Sequence, residues 1–210
     1  MRLKNIKGAK EKIGLSSYII KEPFSLKGNY KSLFHNENPI HLEIGTGKGD
    51  FLIGMAERYP DINFIGIEKY DSVLLRAIEK VNMKELNNIY FIREDAENVD
   101  QMFEREIDEI YLNFSDPWPK ERHAKRRLTS PNLLKKYENV FKNSKVIQMK
   151  TDNRHLFEYS LVSFSENGYK IEKVSLDLHA ENLKDNVETE YESKFVKAGK
   201  VIYFGLFTKN

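Results

Sequence analysis

The stretch IHLEIGTGKGDF, residues 40–51, decides how this chain folds. Ile40 to Ile44 is an apolar run of strand length. Gly45, Gly47 and Gly49 follow in a GxGxG loop, and Asp50 to Tyr59 places Phe51, Leu52, Met55 and Ala56 on one helical face. Pro60 and Asp61 stop that helix. A strand, a glycine loop and a helix in this order let the backbone approach a ligand closely and aim free N–H groups at it.

The same alternation continues outward. Ile62–Ile67 reads as a second strand ending at Glu68, and Asp71 caps a helix to about Lys84 with Val73, Leu74, Ala77, Ile78 and Val81 inward. Ile89–Ile92 is a third strand with Asp95 just beyond it, and Ile107–Phe114 a fourth that delivers Asp116. A helix over 132–142 precedes a fifth strand, Val146–Met149, which leads into Lys150, Thr151 and Asp152. Arg154–Asn167 is helical up to Gly168, and Lys170–Leu178 with Lys200–Thr208 are two last strands paired at the sheet edge. The expected fold is α/β and Rossmann-like: a mostly parallel seven-stranded sheet, helices on both faces, and an antiparallel edge strand. The polar stretch Ala180–Lys197 reads as a long connection, functional or disordered by its length.

At 210 residues one domain is the default. The expected division is a basic N-terminal arm, 1–31, and a single domain, 32–210. No apolar stretch approaches the roughly 20 residues a bilayer needs, the N-terminus lacks a secretory core, and a cytoplasmic location follows by default. With no cysteine, disulfides and thiolate chemistry are excluded. Five scattered histidines show no ligand spacing, so no metal is expected; His41, on the first strand, reads as a satisfied core residue. The net charge of +2 is unevenly spread. Residues 1–31 and 117–136 are strongly basic, and 32–116 strongly acidic. Basic blocks neutralise phosphates. An acidic block suits a cationic ligand.

In an open parallel sheet, ligands sit beyond the carboxyl ends of the strands. Glu43 with the glycine loop, Glu68, Asp95, Asp116 and Asp152 fall there, one acid for each of five strands. Glu68 lies where such folds hold ribose hydroxyls. The glycine loop alone fits NAD about as well as S-adenosylmethionine. The missing GxGxxG fingerprint and the acidic block tip the balance to the latter, which carries a sulfonium and an ammonium. FSDPWPKERHAKRRL, residues 114–128, sets Asp116 beside two prolines, the only tryptophan and five cations. That pairing of acid and cations suggests chemistry on a nucleic acid, although Trp118 between prolines reads as a packing anchor.

LEIGTGKGDF (42–51), GIE (66–68), Asp95, FSDPWPK (114–120), RHAKRRL (122–128), KTDN (150–153) and TEYESKF (189–195) together resemble the bacterial tRNA (guanine-N7)-methyltransferases of the TrmB type. The resemblance implies a class I methyltransferase that uses S-adenosylmethionine to methylate a guanine in the tRNA variable loop. It implies that Glu43, Gly45, Gly47, Glu68, Asp95 and Asp116 line the cofactor pocket. Because methylation at N7 leaves the base cationic, a carboxylate near it is expected to be catalytic, with Asp116 the first candidate and Glu192 or Asp152 next. Lys120, Asp152, Thr189, Glu190, Tyr191 and Glu192 would contact the substrate. Arg122, His123, Lys125, Arg126 and Arg127 would touch RNA. Glu121 departs from the family, which often has a base there. A nicotinamide oxidoreductase and a non-catalytic RNA-binding module are the competing readings. The first lacks a proton donor, and the second has no need of the strand-end acids. The protein is expected to act as a monomer or homodimer, with tRNA its partner and no membrane.

Overall fold

The computed structural model describes residues 6–181 and 186–210. Its strands are β1 (Ile40–Ile44), β2 (Asn63–Ile67), β3 (Ile89–Ile92), β4 (Glu109–Asn113), β5 (Lys145–Thr151), β6 (Lys170–Ser175) and β7 (Tyr203–Lys209). They form one sheet in the order β3-β2-β1-β4-β5-β7-β6. The first five are parallel to one another, and β7 runs antiparallel between β5 and β6. The expected seven strands and their expected pairing are therefore present.

The helices are α1 (Ala9–Gly14), α2 (Lys31–Phe34), α3 (Asp50–Arg58), α4 (Asp71–Val81), α5 (Val99–Met102), α6 (Pro131–Val140), α7 (Arg154–Glu166) and α8 (Glu190–Lys197). Alternation along the buried strands splits the core in two. Ile40, Leu42, Ile44, Ile110, Leu112, Ile147 and Met149 meet Leu134, Tyr137 and Phe164 from α6 and α7. On the other face, Phe64, Phe91 and Tyr111 meet Leu52, Leu74, Ala77 and Ile78 from α3 and α4. Residues with such apolar faces must cover both sides of a parallel sheet.

Two segments differ from their sequence reading. Within 180–197, expected as a connection, residues 190–197 are helical. Thr189 caps α8 by accepting from Glu192 N at 2.8 Å, acids fill the first turn and lysines the last. Residues 182–185 of that stretch lie outside the described residues. Residues 6–31, set apart as an arm, lie against the domain. Ala9 and Ile13 pack on the α4 side, Ile20 N donates to Phe91 O at 2.9 Å, and Glu106 accepts from Gly28 N and Tyr30 N.

Candidate active site

The glycine loop turns because Gly45 N and Thr46 N both donate to Ile67 O, at 2.9 and 3.0 Å. Gly45, Gly47 and Gly49 all take the left-handed conformation, with φ of 79°, 60° and 76°. Gly49 has a second constraint: a Cβ there would lie 2.8 Å from Ala77 Cβ. The third glycine thus lets α3 start against α4.

Glu68, 8% exposed, accepts from Gly47 N at 3.1 Å and Tyr70 N at 2.9 Å. Burial raises its carboxyl against those backbone donors. Asp95 caps a short turn by accepting from Glu97 N at 3.1 Å and lies 3.4 Å from Lys69 Nζ. Beyond Asn113 the chain enters the left-handed region twice, at Phe114 (φ 50°) and Trp118 (φ 41°). Two non-glycine residues held there are a strained turn of the sort found at working sites. Asp116 stands exposed between them, and among the described residues nothing hydrogen-bonds its carboxylate.

These pieces enclose a cleft of about 820 Å³ lined by Gly45, Gly47, Glu68, Asp95, Asp116, Trp118 and Arg126, among others. Glu94 and Glu97 add further acids, against Lys69 and Arg126 as the cations among the described residues. A donor set this rich in carboxylate fits a ligand with an ammonium and a sulfonium. The space left at Gly45 and Gly47, where an added Cβ would find its nearest atom at 3.8 and 3.9 Å, admits a ligand against the loop. The residues present therefore fit S-adenosylmethionine.

Glu43 is not in that lining. The strand pleat turns it beneath the loop, 2% exposed, where Thr46 Oγ1 and Asn113 Nδ2 donate to its carboxyl at 2.7 and 2.9 Å. Burial pushes it up to about 7, against those two donors. A carboxyl raised in the folded state binds a proton there that the unfolded chain has lost, so stability falls as pH rises from about 4.5 to about 7. The shift corresponds to a cost on the order of 3 kcal/mol above that window. Glu43→Gln keeps both hydrogen bonds, since the Thr46 hydroxyl can turn to accept. Urea unfolding is expected to show Glu43→Gln more stable than the parent at pH 8 and equal to it near pH 4. An equal gain at both values would contradict the assignment.

The basic turn divides. Arg122, Lys125 and Arg126 are exposed on a 3₁₀ turn over Glu121–Arg126, with His123 half-buried, and Lys120 is exposed just before it. Arg126 lies over the Trp118 ring at 4.9 Å and His123 is 5.8 Å from it. Trp118 is half-buried in the cleft wall, with Arg126 and His123 packed on its ring. Arg127 does not face outward with its neighbours. It is 6% exposed, donates to Pro117 O and Trp118 O at 3.2 and 3.1 Å, and lies 4.2 Å over Tyr159. Its guanidinium braces the turn that carries Asp116, so it is not available to RNA in this arrangement.

The substrate set also divides. Asp152 is paired with Lys200 at 2.9 Å and lies 3.5 Å from the Tyr191 hydroxyl. Thr189 is the α8 cap, and the exposed Glu190 reaches Lys48 of the glycine loop at 3.1 Å. Tyr191 is 44% exposed, between Phe114 and Phe195. Glu192 is fully buried on Lys150 at 2.7 Å. Burial works against its charge, but Lys150, Asn186 and His179 outweigh it and hold the carboxyl below its ordinary range. Lys150, at the end of the fifth strand and first in the KTDN run, is 4% exposed and is the buried partner of Glu192. His41 bonds the Tyr111 hydroxyl at 2.7 Å, and burial pulls it down to about 4, so it is neutral, as expected of a satisfied histidine. Among the described residues no three metal-ligating side chains cluster, and no helix is long and apolar enough to cross a membrane.

The sheet order, the glycine loop after the first strand and the acids at successive strand ends define a class I S-adenosylmethionine-dependent methyltransferase. The fold is shared with an antibiotic-related methyltransferase (TM-score 0.67, 18% identity, 87% of this chain and 93% of that one). It is shared likewise with the 16S rRNA methyltransferase KamB (TM-score 0.65, 13% identity, 86% and 92%). A family model described as "Putative methyltransferase" matches residues 37–204. In sequence the chain is 50% identical over 205 residues to a tRNA (guanine-N(7)-)-methyltransferase of Oceanobacillus iheyensis, covering 97% of this chain and 96% of that one. It is 54% identical to the protein of the same name from Bacillus velezensis over 185 residues, 88% and 85% of the two chains. For the Bacillus subtilis protein the identity is 53% over 185 residues, 88% and 87%. The chain belongs to the tRNA (guanine-N(7)-)-methyltransferase family.

Proposed function

We propose that this chain transfers the methyl group of S-adenosylmethionine to N7 of a guanine in the variable loop of tRNA, forming 7-methylguanosine. The observation that carries this reading is the meeting of the two charges at one point: an acidic cleft whose rim residue, Asp116, opens directly onto the exposed cations of 120–126.

S-adenosylmethionine, when bound, supplies a methyl group made electrophilic by its sulfonium. Glu68 and Asp95, with the backbone of Gly45 and Gly47, hold and orient it. Guanine N7 carries a free lone pair, so no base has to remove a proton, and no Ser-His or Cys-His device is needed. What the protein must supply is in-line positioning and a fixed field. Asp116 provides the field: the base becomes cationic as the methyl arrives, and an unpaired carboxylate beside it stabilises that charge. Asp152, held by Lys200, is the second carboxylate at that end. The reaction needs no metal. The protein works in the cytoplasm, as a monomer or homodimer.

Lys120, Arg122, Lys125 and Arg126 take the RNA phosphates. Arg126→Ala is expected to weaken tRNA binding and reduce the slope of log affinity against log salt by about 1. Arg127→Ala instead lowers the melting temperature and leaves that slope alone. Fluorescence anisotropy across a salt series reads both, and an unchanged slope for Arg126→Ala contradicts its role. The function itself is tested by methyl transfer from labelled S-adenosylmethionine to unmodified tRNA, with cleavage at 7-methylguanosine to place the label. Label at a variable-loop guanine supports the reading; label elsewhere, or none, overturns it.

A further inference from the structure

The strand pleat gives the sheet a polar stripe that methyl transfer does not use. β1, β4 and β5 turn apolar side chains to α6 and α7, but His41, Glu109, Tyr111 and Gln148 to the α3 side. A parallel sheet ordinarily buries apolar residues on both faces. Here the polar set lines a cavity of about 320 Å³, together with Phe51 and Met55 of α3, Tyr59, Val187 and Phe204. No residue that lines this cavity also lines the cofactor cleft.

The polar lining is built of acceptors. Gln148 Nε2 and the Tyr111 hydroxyl donate to Glu109, and the Tyr111 oxygen meets His41 Nδ1 at 2.7 Å. Asn113 Nδ2 donates to Glu43 at 2.9 Å. Asn113 Oδ1 and Gln148 Oε1 then have no donor among the described residues. Glu109 is the one acid of the lining among those residues, and burial pushes its carboxyl up to about 7, so it is largely ionised at pH 8. The Lys150 ammonium at the rim gives its three protons to Glu192, Asn186 and Val187, so it offers the cavity no donor and its charge is balanced. It also lies 4.9 Å over the Phe51 ring, so one wall of the cavity already carries an ammonium.

We propose that this cavity is a second binding site, for a small organic ammonium whose charge rests on Glu109 and whose apolar body lies among the rings of Phe51, Tyr59 and Phe204. A carboxylate set among aromatic rings is an arrangement that holds such cations. At about 30 Å³ for each non-hydrogen atom, roughly ten atoms fill the space.

The probe is 2-phenylethylammonium, titrated calorimetrically into the full chain at pH 8. S-adenosylmethionine is present at saturation, so that the acidic cofactor cleft is already filled. Binding at one site is expected. 2-Phenylethanol, matched in size but neutral, should bind about 10-fold more weakly. Glu109→Gln and Phe204→Leu should each lower affinity for the ammonium about 5- to 10-fold and leave affinity for S-adenosylmethionine unchanged. Either variant decides the site if the other fails to fold. Absence of binding, equal affinity for the alcohol and the ammonium, or parent-like affinity in a folded variant overturns the proposal.

Discussion

Asp116→Asn is expected to lower turnover at saturating tRNA and cofactor by roughly 10²–10³-fold, the scale seen when one preorganised electrostatic group is removed from a transition state. The amide keeps the size and one acceptor but loses the charge that faces the methylated ring. Affinity for S-adenosylmethionine should fall far less, because Glu68, Asp95 and the glycine loop remain in place. The backbone should not relax, since Asp116 holds no internal hydrogen bond among the described residues and the turn is braced by Arg127. Single-turnover rates and isothermal titration of the cofactor separate the two effects. Normal single-turnover rates with lost cofactor affinity would make Asp116 a binding residue alone.

The second large effect is on stability. Gly49→Ala places a methyl 2.8 Å from Ala77 Cβ, at a φ of 76°. The left-handed conformation costs about 1–2 kcal/mol for a residue with a Cβ, and overpacking adds typically 1–3 kcal/mol. The combined loss of about 2–5 kcal/mol corresponds to a drop in melting temperature of roughly 4–20 °C. Gly47→Ala is the control. Its φ is 60°, but an added Cβ finds no atom closer than 3.9 Å. It should lose about 1–2 kcal/mol of stability and also weaken cofactor binding, because the new methyl occupies the cleft. Equal melting temperatures for the two variants would refute the close packing of α3 on α4.

Much of this architecture was legible because its signals are local. The glycine loop is bounded by an apolar strand and an apolar-faced helix, and each of the first three strands is a short buried run. The cleft acids Glu68, Asp95 and Asp116 followed from strand ends alone. What escaped depends on contacts far apart in sequence. In α8 the fully buried side chain is a glutamate, so no apolar period marked the helix; only the Thr-x-x-Glu cap signal at 189–192 was there to find it. Arg127 is chemically identical to Arg126, and only the fold turns one to solvent and the other onto backbone carbonyls. Glu43 precedes the loop in sequence, but the pleat points it down into the sheet face beside Asn113. The first helix packs through just Ala9 and Ile13, too little pattern to separate it from a solvated basic tail.

The central claim is transfer to N7, made by positioning and charge without proton removal. It is tested most directly with a tRNA carrying 7-deazaguanosine at the variable-loop position. That base keeps its Watson–Crick edge and shape but replaces the N7 lone pair with C–H. The account predicts binding equal to that of unmodified tRNA and no incorporation of labelled methyl. Incorporation at the parent rate would contradict it, and would place the accepting atom elsewhere in the RNA.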